Sequence, residues 1–259
     1  MITKTELRWS YVPADLFEPD TKVLTGVGNW TFGDGFAHLQ LPTPLDPVPS
    51  SLIDARTEVV EQMLSARAFD VGRSAQIIGL ANTYHHSAGG VSQVIVPITG
   101  IGALASGPAS IDMVITDGNG KVLHDSAKAR RDAASKELQT RARRLELSGD
   151  LAFLLNRYSH ALAHPETSLF HLFDIVERLE EIFPAGEAVK LLAIKGPRKT
   201  LGILANDAPI IEGRHAGEKD PALLRHVTPE EANEAREAAI EIIRAFEAYI
   251  DRAAGPTRA

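Results

Sequence analysis

The chain has 259 residues, 44% of them apolar and 24% charged, so it can bury one large core or two modest ones and is too hydrophobic for wholesale disorder. A formal charge of −7 argues against broad attraction to nucleic acid or to an anionic membrane, while leaving room for a local basic patch. The absence of cysteine excludes disulfides, thiolate metal centres, iron–sulfur clusters and thiol nucleophiles.

The amino end alternates polar and apolar residues and has no apolar run behind its positive charge, so it does not read as a signal peptide. No stretch is apolar enough to span a bilayer, and a cytoplasmic protein is expected. Residues 5–12 and 36–41 alternate with a period of two, and Gly26, Gly33 and Gly35 mark turns between them, which predicts β-structure. The proline-rich stretch 43–50 breaks that pattern. From Ser51 onward, the spacing of Leu52, Val59, Val60, Met63 and Leu64 predicts an amphipathic helix. The pair His85-His86, in the polar stretch 83–90, reads as part of a solvated loop. Strands resume at 92–99. The segment Gly100-Ile-Gly-Ala-Leu-Ala105 resembles a dinucleotide fingerprint, but Gly107-Pro108 arrives before a phosphate-holding helix could start, so it reads as a loop and no cofactor is expected. Segments 111–116 and 121–124 flank Asp117-Gly-Asn-Gly120, whose residues tolerate positive φ, and predict a hairpin.

After Ser126 the strand signature vanishes and helices joined by short polar loops are expected to Arg252. The chain is therefore expected to be α+β. A small β-rich domain with one helix would occupy 1–125, an all-helical domain 126–252, and a frayed tail 253–259. The final helix has the plainest signal: Thr228 and Glu231 form a capping box, Pro229 suits the first turn, and Ala232, Ala235, Ala239, Ile242, Ile243, Phe246 and Ile250 make one stripe. Its packing partners are expected to be the helices at 151–163 and 167–183.

Arg157, His160 and His164 fall at i, i+3 and i+7 on the helical face opposite the stripe of Leu151, Leu154, Leu155 and Tyr158. An arginine and a histidine on one face suit a phosphodiester, the guanidinium holding charge while the imidazole moves a proton. Two histidines four apart suit a metal only if a third histidine or a carboxylate joins them, and an exposed polar helix face explains the same residues. The loop from Asn206 through Arg214 and His215 to Gly217 carries polar groups between rigid elements, where binding groups often sit. Glu180 projects among Leu169, Phe173 and Val176, and a carboxylate there wants a cation such as Arg214 or Arg236. Finally, Lys128, Arg130, Arg131, Lys136, Arg141, Arg143 and Arg144 crowd one helix against Asp132 and Glu137, a stripe that suits RNA, an acidic partner or plain solvent.

The pattern Leu204-Ala-Asn-Asp207, then Gly213-Arg-His-Ala-Gly217, then Thr228-Pro-Glu-Glu-Ala232 resembles bacterial proteins related to a methylamine-utilisation accessory family, which implies an assembly or regulatory role. The helical arrangement also looks like a HEPN domain. Catalytic HEPN members cleave RNA without metal, using an arginine and a histidine separated by four to six residues; Arg157 and His164 have that spacing and Arg214 does not. The resemblance implies dimerisation through the helices. The expected function is thus an accessory or binding protein with a protein or RNA partner, with two rivals: a metal-independent ribonuclease using Arg157 and His164, assisted by His160 or His215, and a metal-dependent hydrolase.

Overall fold

A computed structural model describes residues 2–78, 81–87, 90–94, 114–116, 122–214 and 221–255. The expected strand beyond Val94, the Gly100 to Ala105 loop, the Asp117 to Gly120 turn, and His215 with Gly217 lie outside the described residues. The chain divides into two compact units, residues 1–67 with 75–146 and residues 68–74 with 147–259.

The first unit is built on β1 (Ile2–Val12), the long central strand of an antiparallel sheet. Its order is β2 (Thr21–Thr25), β3 (Gly28–Gly33), β4 (Phe36–Gln40), β1, β6 (Asn82–Ser87) and β7 (Gly90–Val94), and β5 (Gln76–Ile77) pairs with the end of β1. The two-residue period puts Leu7, Trp9 and Tyr11 on the buried face with Val23, Trp30, Phe32 and Leu39. Bulk alternates across the ladder, with Trp9 opposite Ala37 and Leu7 opposite Leu39. α1 (Ser50–Val71) contributes buried Val60, Met63 and Leu64 to the same unit. Both indole N–H groups are satisfied inside it: Trp9 donates to Thr57 Oγ1 at 2.9 Å and Trp30 to Thr25 Oγ1 at 3.1 Å. β8 (Val114–Thr116) and β9 (Val122–Asp125) form the expected antiparallel pair.

The stretch around His85-His86 is strand β6 and not a solvated loop. His85 is 5% exposed, with Nδ1 3.4 Å from Thr5 Oγ1, and His86 Nε2 lies 2.9 Å from the Glu6 carboxylate. Its Thr, Tyr and His side chains carry no apolar alternation, so pairing with β1 on one side and β7 on the other imposes the extended form.

α2 (Ser126–Leu147) also departs from expectation, because it groups with the sheet and not with the later helices. The cause is the outer edge of β2 and the turn after it. Ser135 Oγ accepts the Lys22 N–H at 3.0 Å, Gln139 accepts from the Leu24 N–H at 2.7 Å and donates back to its carbonyl at 2.5 Å, and Glu146 accepts the Gly26 N–H at 2.6 Å. Two strand residues advance about 6.7 Å and four helical residues about 6 Å, so side chains one helical turn apart can meet alternate strand amides. The expected basic stripe on this helix is not one continuous solvated face: Arg141 is 7% exposed and Arg130 Nε lies 3.7 Å from Glu18, while Arg131 and Arg144 are half-buried.

The second unit holds α3 (Gly149–Ala163), α4 (Ser168–Ile182), α5 (Glu187–Leu191), α6 (Lys195–Gly202), a π-helical turn at Ile203–Asp207, and α7 (Pro229–Ala254). Its core joins Leu151, Leu154, Leu155 and Tyr158 of α3 to Leu169, Leu172, Ile175, Val176 and Leu179 of α4 and to Ala235, Ala239, Ile242, Ile243 and Phe246 of α7. α7 starts with the expected capping box, and Arg225 adds a bidentate grip on Glu231 at 2.7 and 2.5 Å. Among the described residues, no helix is long and apolar enough to cross a membrane.

Two expectations follow. Gln139→Ala removes both bonds to Leu24 and should cost roughly 1–3 kcal/mol in denaturant unfolding, with more self-association by light scattering as the β2 edge opens. The Arg225 guanidinium and the Thr228 amide hold the Glu231 carboxyl down to about 2, below its ordinary value of 4.5. The stabilisation it lends is complete above that ordinary value and fades as pH falls toward 2. Glu231→Gln should therefore flatten the acid limb of thermal stability measured by circular dichroism across that window.

Candidate functional site

α3 and α4 are linked by His164 and the short turn Pro165–Thr167, a connection that folds one helix back onto the other. Their apolar stripes meet, which leaves the flanks of both helices side by side on one polar face. On α3 this flank carries Arg157, His160 and His164 at the helical spacing that aligns them. On α4 it carries Phe170, His171, Asp174 and Glu177.

The three imidazoles cluster. Ring centres of His160 and His164 are 6.0 Å apart, and His171 lies 5.4 Å from the first and 6.5 Å from the second. Arg157 Nε is 3.4 Å from Asp174 Oδ2, and its guanidinium rests over Phe153 at 4.9 Å. His160 and His164 are both exposed and His171 is half-buried; the His164 side chain is 52% exposed, with Nδ1 3.5 Å from Glu166.

Arg214 reaches the same face by a different route. After α6, the π-helical turn and the following loop fold back so that the Arg214 N–H donates to the Ala205 carbonyl at 2.7 Å. Gly213 permits this approach, since a Cβ there would stand 3.0 Å from the carbonyl oxygens of both Ala205 and Ile210. The guanidinium then donates to Glu177 and lies over Phe170 at 5.1 Å and Phe173 at 5.2 Å.

Burial is the largest influence on these titrating groups. It lowers His160, with Arg157 and His164 adding to the shift, and lowers His171, with His160 and Arg157 adding to it. Both imidazoles are thereby biased to the neutral form at neutral pH. Burial raises Asp174 in spite of the opposing pull of Arg157 and Arg214. His171 Nδ1 and Arg157 Nε are both buried without a hydrogen-bond partner, as is Asn206 Oδ1 in the π-helical turn.

The structure thus brings Arg157, His160, His164 and Arg214 to α4, whereas the sequence suggested two separate clusters. It leaves Arg130, Arg131, Arg141 and Arg144 in the other unit. Glu180 is not a buried carboxylate seeking Arg214 or Arg236: it is exposed and bonded to Arg198 at 2.5 Å. The buried stripe of α4 is Leu169, Leu172, Ile175, Val176 and Leu179; Phe173 is only half-buried at its edge, and Glu180 falls beyond that edge on the exposed flank. His171, Asp174 and Glu177 escaped the sequence reading; their i, i+3, i+6 spacing along that flank was the available signal. Among the described residues, no three His, Asp or Glu side chains stand with donor atoms close enough to hold a metal ion as they are.

Asp174 is the carboxylate that raises His171, so Asp174→Asn should make His171 titrate lower still, read from its imidazole proton shifts by NMR. Compared with protein-family models, curated proteins and solved structures, the chain matches none.

Proposed function

We propose that this is a binding or accessory protein that recognises a protein partner through the α3–α4 face, with Arg214 and Phe170 as its anchor. The observation that carries this reading is that Arg214 is held by Glu177 and sandwiched against Phe170 and Phe173, while Phe170 stays 42% exposed. A pre-positioned arginine beside an exposed aromatic ring is the chemistry of interface hot spots, because little side-chain freedom remains to be lost on binding. Arg157 is likewise engaged by Asp174, which suits recognition better than capture of a free phosphate. A HEPN-like character of the helical unit, a cytoplasmic setting and a homodimer formed through the helices belong to the same proposal.

One observation favours a second reading, the metal-independent ribonuclease. His171 adds a third imidazole beside Arg157, and both it and His160 are biased to the neutral form that accepts a proton. RNA would then lie against Arg157, with His164 as the exposed acid.

Both readings are tested on the pure protein in excess chelator. On an affinity matrix the wild type should retain a host-cell protein that Arg214→Ala and Phe170→Ala each release, and mixed labelled RNAs should stay intact. Retention unchanged by both variants would sink the recognition reading. Cleavage that His164→Ala abolishes, with circular dichroism unchanged, would put the ribonuclease in its place.

A further inference from the structure

We propose that His160, His164 and His171 together bind one divalent transition-metal ion of the zinc class. The inference rests on the α3–α4 face being a working surface and names a ligand for it.

His160 and His164 are one helical turn apart on α3, the spacing at which two imidazoles can share an ion, and the helical hairpin delivers a third from α4. Ring centres at 5.4, 6.0 and 6.5 Å leave a common point about 3.5 Å from each ring, and an imidazole bound through a zinc–nitrogen bond of about 2.0–2.1 Å has its centre roughly 3.2 Å from the ion. The ring centres are therefore spaced to within a few tenths of an ångström of a shared ion, while the donor nitrogens do not converge on it as they stand, so binding requires the rings to turn. That is the soft coordinate: histidine χ2 is a broad, two-fold torsion, and His164 is half exposed and free of the core.

A second observation points the same way. His171 Nδ1 is buried without a hydrogen-bond partner, a cost that stands until some group meets it. An ion among the three rings supplies that group directly, or fixes the ring so that the remaining nitrogen can turn toward Asp174. Asp174, three residues along α4, would orient His171 as a carboxylate behind a metal-bound imidazole, with Arg157 fixing the carboxylate. Imidazole donors with an oxygen behind them suit zinc, cobalt and nickel rather than calcium or magnesium.

The test is titration of metal-stripped full-length protein with zinc chloride by calorimetry, and with cobalt chloride by visible absorption. One ion per chain is expected, with the intense visible bands of four-coordinate cobalt. His160→Ala and His171→Ala should each weaken binding by about tenfold or more. His226→Ala should change nothing, since that ring is bonded to Glu212 outside the cluster. Each variant is checked by thermal unfolding, and His160→Ala and His164→Ala, both at exposed positions, serve as the ligand variants least able to disturb the fold. No saturable binding, or binding indifferent to His160→Ala, His164→Ala and His171→Ala alike, would overturn the proposal. Because partner capture is measured in chelator, recognition can succeed where metal binding fails, and the two ideas fall separately.

Discussion

A sheet organised around one long central strand leaves an outer strand whose alternate amides and carbonyls face away from their neighbours. In this protein that strand is β2, and the groups left over are met by side chains of α2 instead of by another strand. Each bond is worth only about 0.5–1.5 kcal/mol net, but leaving an edge unpaired invites another chain to add to it. The arrangement explains why α2 can be so polar. Its contribution to the unit comes from Ser135, Gln139 and Glu146 as much as from its buried Leu138, Ala142 and Leu145. A helix with that composition looks independent in sequence, and here it is the closing element of the sheet.

How much was legible follows from the range over which each signal acts. The alternation of residues 5–12, the spacing behind α1 and the capping box of α7 are local, and each produced the element expected. β6 was hidden because its side chains are polar and its form is imposed by neighbours some eighty residues away in sequence. α2 joins the sheet and not the later helices through bonds made to backbone, which leave no trace in side-chain pattern. Glu180 differs because the buried stripe of α4 takes in Leu172, Ile175 and Leu179 and leaves Phe173 at its edge, so a carboxylate beside Phe173 faces outward.

The candidate site divides along the same line. Arg157, His160 and His164 could be read as one face because one helix carries all three. Their relation to His171, Asp174 and Glu177 exists only once α3 and α4 fold together, and that of Arg214 only once a π-helical turn brings a loop back over Ala205. π-Helical turns are uncommon and often accompany functional sites, because they re-aim the chain at the cost of regular hydrogen bonding. Here the turn places Arg214 between two aromatic rings and a carboxylate, a position no loop composition would announce.

The docking of α2 also sets an order of events during synthesis. The Lys22 amide is met by Ser135, 113 residues later, and the Gly26 amide by Glu146, 120 residues later. At roughly 5–20 residues per second a ribosome needs about 6–24 s to make that span, after which the helix must still clear the exit tunnel. Through that interval the nascent strands β2, β3 and β4 can pair with one another while their outer border stays open. Until α2 emerges, the β2 border is the part of the nascent unit most open to pairing with another chain.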